Sequence, residues 1–367
     1  MSLTIVFQKL IIFAPKIDEI SMKIVIDEKI PYISDALKQM GHTIVEKAGN
    51  AIVADDVRDA GALFVRTRTE CNASLLDGSS VRFIGTATIG YDHIDNDYCK
   101  SSGIYWCSAP ACNAGGVVQY VQSSIYAWCG SRPLKGLTLG VVGVGAIGTR
   151  VAAWAASQGM RVLLNDPPRE ASGEHGFVSL QEIARESDII TFHPTLTRSG
   201  LFPSYHLGGE DFFASVQRVP LVINASRGAV VDNAAALKAV KEGRIADIVL
   251  DVWEGEPLIN RELLEAAFIA TPHIAGYSAE GKYNATCIVL SKFADFTGYK
   301  DALPIVPLAP PANPLVEAAN ESEALLRIYN PMTDSAALKC SPHQFEELRN
   351  NYNFRREPSA YEVRLCE

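Results

Sequence analysis

The stretch that decides the fold is residues 137–166, LTLGVVGVGAIGTRVAAWAASQGMRVLLND. An apolar strand pattern passes through Gly143-Val-Gly145-Ala-Ile-Gly148 into a helix pattern over Ala146–Gln158. Gly143 permits the tight turn, Gly145 lets the backbone approach a pyrophosphate, and Gly148 lets the helix lie close to the strand. The free N–H groups of the helix N-terminus favour phosphate. The residues predicted to hold a dinucleotide here are Gly143, Gly145, Ala146, Ile147 and Gly148.

An acidic residue completes this pattern. Asp166 ends the next strand, 23 residues after Gly143. A carboxylate at that place accepts hydrogen bonds from the adenosine ribose and repels a 2′-phosphate, which predicts NAD rather than NADP. Arg169 lies close enough in sequence to soften that preference. The alternative, a glycine-rich turn in a sheet that binds nothing, is disfavoured because strand, helix and acid occur together.

Composition excludes several classes of protein. The chain has 367 residues, 48% hydrophobic and 20% charged, which is typical of a folded protein of two or three domains. Its net charge of −9 and the lack of a dense basic run disfavour a nucleic-acid partner. No apolar stretch reaches the roughly 20 residues that span a bilayer, so no membrane partner is expected.

The cysteines and histidines indicate neither disulfides nor a metal site. The eight cysteines are scattered and none forms a Cys-x-x-Cys pair, which favours free thiols in a reducing cytoplasm. The seven histidines show no zinc spacing, so no metal is expected.

The N-terminus contains a second plausible start. Lys9 interrupts the apolar residues of 1–21, and no small-residue cleavage site follows, which disfavours a signal peptide. Met22 begins MKIVIDE, a strand pattern. We therefore expect the native chain to start at Met22, with residues 1–21 as an N-terminal extension.

From Met22 the chain alternates short apolar strands with helical stretches. Short β-branched runs between helices are typical of a buried parallel sheet. Residues 22–112 are predicted to form one such α/β unit. Its candidate strands are Lys23–Ile26, Thr43–Val45, Ala62–Arg66, Arg82–Gly85 and Ile104–Cys107.

A second α/β series follows a long predicted helix, Ala114–Cys129. Six strands joined by helices favour a doubly wound sheet. The candidate strands are Thr138–Val142, Arg161–Asn165, Asp188–Phe192, Leu221–Ala225, Asp247–Val252 and Phe268–Thr271.

The amino-acid composition of the chain changes after Lys300. Residues 302–314 carry five prolines and are predicted to be a linker or an edge strand. Helix patterns follow at Glu317–Leu326 and Gln344–Tyr352. About 50 residues are too few to form a stable hydrophobic core of their own, so this segment is expected to pack on another surface or another subunit.

Three chemically suited side chains follow strands of the second series. Arg227 comes after LVINAS, Glu256 after IVLDVWEG and His273 after FIATP. Oxidising a 2-hydroxy acid removes a hydride from C2 and a proton from the hydroxyl. Histidine suits the proton transfer, a carboxylate fixes its tautomer, and arginine grips the substrate carboxylate. Taken one at a time, Arg227 could cap a turn, Glu256 could be a solvated acid and His273 could be a buried core histidine. Together with the glycine loop, they predict a set of catalytic residues.

Longer segments carry a resemblance. GVVGVGAIGTRVA, INASRGAVVDNAA, LDVWEGEP and TPHIAGYS resemble the D-isomer-specific 2-hydroxyacid dehydrogenase family, from Met22 to about Phe296. The resemblance implies that Arg227 binds the carboxylate, Glu256 orients the histidine and His273 exchanges the proton. It also implies a flavodoxin-like lid or substrate domain, a doubly wound Rossmann NAD-binding domain, and a site in the cleft between them. The implied ranges are 22–112 with a completing segment at about 275–300, and 113–275.

Other segments resemble one branch of that family, which oxidises a phosphorylated hydroxy acid. They include MKIVIDEKIPY, ALFVRTRT, FIGTATIGYDHID, SAPACNAGGVVQYV, NDPPR and HIAGYSAEGK. FEELRNNYNFRRE is similar to that branch's C-terminal dimerisation domain, which implies a small α+β domain over 301–367 and a homodimer.

The same resemblance implies further contacts, for which residue spacing gives no signal of its own. It assigns substrate contacts to Thr67, Thr88 and Tyr277, and NAD contacts to Asp166, Asp251 and Gly276. Without it, the two threonines would be routine strand-end hydroxyls and Tyr277 an ordinary packed aromatic.

A substrate phosphate needs positive charge. Arg66 and Arg68 are candidates, since strand alternation would put both on one face. The alternative is a pair of solvated arginines.

The chain departs from the family pattern in three places. His193-Pro194-Thr195-Leu196 displaces a threonine by one residue, so no cofactor contact is assigned there. Gln119 stands where glutamate is common, and Ser226 where cysteine is frequent.

Two other functions stay open from the sequence. One is a dehydrogenase for another D-2-hydroxy acid, such as 3-phosphoglycerate. The other is an NAD(H)-sensing interaction protein on the same fold. A formate dehydrogenase is less favoured, because that group has glutamine where this chain has Glu256.

Overall fold

Two parallel sheets organise residues 21–366, the part of the chain that this computed structural model describes. The chain divides into two units by its internal contacts. The first contains the residues up to Cys112 together with Lys282–Pro307. The second contains Asn113–Gly281 and the chain from Leu308 onward. The predicted N-terminal extension, residues 1–21, lies outside the described residues except for Ser21.

The first unit contains a five-stranded parallel sheet. Its strands are β1 (Lys23–Asp27), β2 (Thr43–Lys47), β3 (Ala62–Val65), β4 (Phe83–Thr86) and β5 (Tyr105–Cys107). Their order in the sheet is β2-β1-β3-β4-β5, all parallel. This is the flavodoxin-like order, so the predicted fold of this unit is confirmed. Its helices are α1 (Ile33–Gln39), α2 (Ala54–Val57), α3 (Ala73–Leu76) and α4 (Asn96–Ser101), and α12 (Ala279–Thr297) lies mostly in this unit.

Aromatic rings fill the core of this unit. Phe293 of α12 packs edge-on against Phe64 and Phe83, with ring centroids 5.4 and 5.1 Å apart. All three side chains are fully buried. Burial of this apolar surface holds α12 against the sheet.

The second unit contains a six-stranded parallel sheet. Its strands are β6 (Thr138–Val142), β7 (Arg161–Asn165), β8 (Ile189–Phe192), β9 (Leu221–Asn224), β10 (Asp247–Leu250) and β11 (Ile269–Ala270). Their order in the sheet is β11-β10-β9-β8-β6-β7, all parallel. Chain order reverses where β6 lies beside both β7 and β8, which is the switch point of a doubly wound sheet, where ligands bind. The helices are α5 (Ala114–Cys129), α6 (Ala146–Ser157), α7 (Pro167–Ala171), α8 (Leu180–Glu186), α9 (Glu210–Ser215), α10 (Asn233–Lys241) and α11 (Arg261–Ala266).

The C-terminal segment packs on this second unit. Residues 302–314 are free of regular structure, as the prolines predict. Leu338 and Phe345 are buried in the same core as the sheet, and the Ser335 hydroxyl accepts the Ala270 amide of β11 at 3.0 Å. The elements are β12 (Leu315–Ala318), α13 (Glu321–Ile328), α14 (Pro331–Cys340), α15 (Phe345–Asn350) and β13 (Glu362–Leu365).

The predicted helix Glu317–Leu326 is wrong at its start. Residues 315–318 form β12, which pairs in parallel with β13. Asn320 then begins α13, since its side chain accepts the Glu323 amide at 2.9 Å. The pairing partner lies more than 40 residues away, so the local pattern could not reveal this strand.

Two expectations about the rest of the chain have clear outcomes. All eight cysteines lie among the described residues and are free thiols. No helix within residues 21–366 is long and apolar enough to cross a membrane.

Candidate active site

The glycine loop joins β6 to α6 at the switch point. Gly143 has a φ of +86°, and a Cβ there would lie 2.5 Å from the Pro194 nitrogen. A Cβ on Gly148 would lie 2.1 Å from the Gly143 oxygen. A Cβ on Gly145, by contrast, would meet nothing within 4 Å. Two glycines are therefore required by the protein's own packing, while Gly145 faces open space of the kind that a pyrophosphate needs.

Neighbouring groups fit a dinucleotide as well. Ala146 and Ile147 open α6 and have accessible surface. The Nδ1 atom of His193, directly after β8, is buried and has no hydrogen-bond partner within the described residues. Burial lowers the pKa of His193 to about 3, so its ring is neutral. An unpartnered buried nitrogen beside the glycine loop is a polar group that a ligand could satisfy.

Asp166 lies at the end of β7, as predicted. Its Oδ2 accepts the Val144 amide at 2.8 Å, and its Oδ1 accepts the Arg169 amide at 3.2 Å. The carboxylate thus ties the glycine loop to the start of α7 while staying partly accessible. The Arg169 guanidinium pairs with Glu174 and also donates to the Val144 carbonyl, so part of its charge is offset by a neighbouring carboxylate.

His273 and Glu256 form a hydrogen-bonded pair. Nδ1 of His273 lies 2.8 Å from Oε2 of Glu256, and Oε1 of Glu256 accepts the Trp253 amide at 2.8 Å. The pair is mostly buried, with the side chains 28% and 18% exposed. Because Nδ1 is engaged by Glu256, proton exchange with a ligand falls to Nε2.

The Glu256 carboxyl is held ionised. Burial alone would raise its pKa, but the hydrogen bond and charge of His273, the Trp253 amide and the charge of Arg349 together lower it below the ordinary value. An ionised carboxylate at Nδ1 stabilises the protonated imidazole that proton uptake creates.

A strained backbone and a buried acid fix the histidine in place. His273 has a φ of +60°, which is unfavourable for a side chain with a Cβ. Asp251 compensates, since its Oδ1 accepts the Thr271 hydroxyl and the Ile274 amide, both at 2.7 Å, and its Oδ2 accepts the Ala275 amide at 2.9 Å. Burial raises the pKa of Asp251, opposed by these donors and by His273.

Asp251 therefore has a second role besides the NAD contact that the resemblance implies. Its side chain is 1% exposed, and both oxygens are used by the loop after β11. The loop that carries His273 is built around this carboxylate.

Arg227 shares a cavity with the histidine pair. The cavity holds about 310 Å³ and is lined by Arg227, Glu256, His273, Trp253 and Arg198, among others. Arg227 lies in the loop after β9, where its carbonyl accepts Nδ2 of Asn224 at 3.0 Å. The three predicted catalytic residues, which are far apart in sequence, thus line one cavity of the second unit.

Sequence reasoning missed Arg198. Its guanidinium lies 4.3 Å above the Tyr205 ring, and it adds a second positive charge to the cavity that Arg227 lines. The one sequence signal for Arg198 as a site residue is its position two residues after Leu196, in the segment that departs from the family pattern.

A second glutamate of the same loop has a different partner. Oε1 of Glu254 lies 2.8 Å from Nε2 of His206, and its Oε2 accepts the Asn233 amide at 3.0 Å. Both of its oxygens are engaged away from His273. The choice of Glu256 as the orienting residue agrees with this geometry.

The remaining predicted substrate residues of the first unit follow β3 and β4. Oγ1 of Thr88 lies 2.7 Å from that of Thr86 and donates to the Gly90 carbonyl at 2.8 Å. Thr67 is exposed in a turn. Arg66 pairs with the fully buried Asp27, Nε to Oδ2 at 2.9 Å.

The expectation that Arg66 and Arg68 lie on one strand face is wrong. Strand β3 ends at Val65, and residues 67–68 form a turn, so strand alternation does not apply there. Arg66 is directed by Asp27 instead.

Gly276 and Tyr277 contact other parts of the second unit. A Cβ on Gly276 would lie 2.1 Å from Nδ2 of Asn113, so a larger residue there would displace the Asn113 side chain. The Tyr277 ring packs edge-on against Tyr352 and Phe354, with centroids 6.2 and 6.1 Å away. Both contacts come from the C-terminal segment, which the sequence analysis did not connect with this loop.

Arg355 makes that connection rigid. This buried side chain donates to the carbonyls of Gly116, Ile274, Ala275 and Tyr277, and its Nε donates to Oε1 of Gln119 at 3.0 Å. The buried guanidinium therefore meets the neutral side-chain amide of Gln119.

Comparison with known proteins agrees with this fold. The family model described as D-isomer specific 2-hydroxyacid dehydrogenase, NAD binding domain, matches residues 116–275. An NAD⁺-bound 3-phosphoglycerate dehydrogenase of Entamoeba histolytica has a TM-score of 0.65 and 25% identity, covering 76% of this chain and 96% of that one. A D-lactate dehydrogenase of Aquifex aeolicus, solved with NAD and lactic acid, has a TM-score of 0.59 and 27% identity, covering 75% and 96%. The class is thus that of the NAD-dependent D-2-hydroxyacid dehydrogenases.

Sequence relatives narrow the class. An erythronate-4-phosphate dehydrogenase of Bacteroides thetaiotaomicron is 51% identical over 345 residues, 93% of this chain and 99% of that protein. One from Escherichia coli O127:H6 is 40% identical over 360 residues, 94% of each. The chain belongs to the erythronate-4-phosphate dehydrogenase family.

Proposed function

We propose that this protein oxidises 4-phospho-D-erythronate to 2-oxo-3-hydroxy-4-phosphobutanoate with NAD, as a step of pyridoxal 5′-phosphate biosynthesis. The observation that carries the reaction is the His273–Glu256 hydrogen bond in a cavity that Arg227 also lines. The names of the relatives support the substrate.

The proton steps belong to this chain's own residues. His273 accepts the proton of the C2 hydroxyl at Nε2, while Glu256 holds Nδ1 and stabilises the imidazolium. Arg227 binds the substrate carboxylate through a paired contact, which orients C2. When bound, NAD supplies the hydride acceptor. Proton transfer of this kind typically contributes about 10²–10⁴-fold to the rate.

The cofactor site is proposed at the switch point of the second unit. Gly143, Gly145, Ala146, Ile147 and Gly148 would hold the pyrophosphate, in agreement with the open space at Gly145. Asp166 would accept the adenosine ribose hydroxyls. Asp251 and Gly276 both have packing roles in the protein. The NAD contacts that the resemblance implies for them could still be made by the backbone next to these residues.

The substrate contacts of the first unit are part of the same proposal. Thr67, Thr88 and Arg66 would meet the substrate, together with Tyr277 of the second unit. Arg66 keeps a part of its guanidinium accessible, with its side chain 25% exposed beside Asp27. We further propose a cytoplasmic homodimer that pairs through the C-terminal segment, residues 301–367.

The test is NADH production by the purified protein, with a 2-keto acid added in parallel in case product stays bound. We would offer 4-phospho-D-erythronate, 3-phosphoglycerate and D-lactate, with His273→Ala as the control variant. Clear preference for phosphoerythronate, lost in the variant, is the expected result. Preference for another acid would overturn the substrate, and NADH binding without any turnover would favour an NAD(H)-sensing protein.

A further inference from the structure

A cation from the C-terminal segment lies beside the proposed catalytic pair. Arg349 of α15 places Nη1 3.8 Å from Oε2 of Glu256, the same oxygen that faces Nδ1 of His273. Its Nε donates to the Tyr277 hydroxyl at 3.3 Å. One guanidinium thus contacts two residues to which the proposed function gives roles.

The position of this guanidinium is fixed by burial. Its side chain is 20% exposed, and α15 is anchored by Phe345, which is 1% exposed. Glu346, one turn earlier, also pairs with this guanidinium, with an oxygen 3.8 Å from Nη1. A partly buried cation in a fixed place acts on its neighbours through a lower effective dielectric constant than water.

We propose that Arg349 is a positioning residue for the reaction: it holds Glu256 in place, offsets part of the charge that Glu256 presents to His273, and orients the Tyr277 hydroxyl. This inference rests on the proposed function. It gives the C-terminal segment a part in the chemistry beyond the proposed dimerisation.

The sign of the effect follows from the charges. Glu256 favours the protonated imidazole, whereas oxidation needs His273 unprotonated to accept the substrate's proton. The positive charge of Arg349 offsets part of the carboxylate's field at the ring. Without that charge, the field of Glu256 at the ring is stronger, and the acidic limb of the oxidation rate is expected to move upward.

The size of the effect can be bounded. Two unit charges roughly 6 Å apart shift a titration by about 0.5 pH units at an effective dielectric constant of about 80, and by about 2 at about 20. The other charged and titratable groups that face the pair are Asp251, Arg227, Arg198, Glu254, Tyr277 and Glu346. Replacing Arg349 alone leaves the chemical identity of these groups unchanged.

The experiment compares pH profiles of kcat for phosphoerythronate oxidation in the full-length protein. Arg349→Gln is expected to move the acidic limb upward by about 0.5–2 pH units, while Arg349→Lys keeps the charge and stays near the wild-type profile. Glu346→Gln removes a neighbouring negative charge and is expected to move the limb downward. Arg364→Gln, an exposed arginine of the same segment, is the matched control.

Two outcomes would overturn the proposal. One is an Arg349→Gln profile that overlays the wild type; the other is an equal displacement in Arg364→Gln. If Arg349→Gln does not fold, the proposal is tested by Glu346→Gln, for which the acidic limb of the kcat profile should move downward. An unmoved limb in Glu346→Gln would contradict the proposal.

A measurement without turnover separates this proposal from the proposed function. The imidazole Cε1–H resonance of His273, assigned by its loss in His273→Ala, can be titrated by NMR. Its midpoint is expected to rise in Arg349→Gln even if phosphoerythronate is not the substrate. Absence of wild-type turnover would refute the proposed function, and an unmoved midpoint would refute the role of Arg349.

Discussion

Replacing Arg355 by methionine tests how the C-terminal segment holds the catalytic loop. The change removes a guanidinium that donates to four backbone carbonyls, three of them in residues 274–277. Methionine keeps most of the volume beside the Tyr329 ring, over which the guanidinium carbon lies at 4.1 Å. Lost hydrogen bonds rather than a cavity should then dominate the effect.

The magnitude follows from these contacts. Four carbonyls at a net cost of about 1 kcal/mol each give about 4 kcal/mol. The lost contact with the Tyr329 ring adds about 1 kcal/mol. The figure of about 1 kcal/mol per bond already includes the desolvation of the groups that form it. We therefore expect the free energy of unfolding to fall by about 5 kcal/mol, or about 10–20 °C in Tm for a unit of more than 200 residues.

Urea unfolding followed by tryptophan fluorescence measures this loss. Of the four tryptophans, Trp253 lies next to the loop, since its indole N–H donates to the Thr271 carbonyl at 3.1 Å. Arg355→Lys, which keeps the charge but has fewer and differently placed donors, should lose about half as much. A loss below about 1 kcal/mol in Arg355→Met would refute the reasoning, since the four carbonyls would then not depend on this side chain.

Three further changes give measurable outcomes. Gly145→Ala should leave the melting temperature unchanged but raise the Kd for NADH. Gly148→Ala should lower the melting temperature, because its Cβ would lie 2.1 Å from a backbone oxygen. Equal melting temperatures of the two variants would contradict this expectation. Asp166→Ala should raise KM for NAD and lower it for NADP, and an unchanged ratio of the two would dispose of the ribose contact. Arg66→Gln should raise KM for phosphoerythronate at least about tenfold, as expected for a lost charged hydrogen bond of about 1.5 kcal/mol or more, and an unchanged KM would exclude Arg66 from phosphate binding.

The parts of the site that sequence could predict have local signals. The glycine loop lies within one strand–turn–helix unit, and the spacing of its glycines indicates where the backbone must pass close to a neighbouring group. Arg227, Glu256 and His273 each follow a strand, and parallel strands bring their carboxyl ends to one edge. The alternation of short apolar runs and helices was enough to predict two parallel sheets.

The parts that sequence could not predict depend on distant contacts. Arg349 and Arg355 lie in FEELRNNYNFRRE, which gives a helix pattern and a family resemblance but nothing that places it beside residues 256 and 273–277. Strand β12 exists because β13 pairs with it across more than 40 residues. The direction of Arg66 depends on Asp27, which is 39 residues earlier in the chain.

The most direct test of the proposed chemistry uses 4-phospho-D-erythronate deuterated at C2. After a single turnover with NAD, mass spectrometry of the reduced cofactor reports where the C2 hydrogen goes. We expect deuterium in the reduced nicotinamide ring with wild-type protein and no reduced cofactor with His273→Ala. Reduced cofactor without deuterium, or none with wild-type protein that binds NADH, would contradict a dehydrogenase acting at C2 of this substrate.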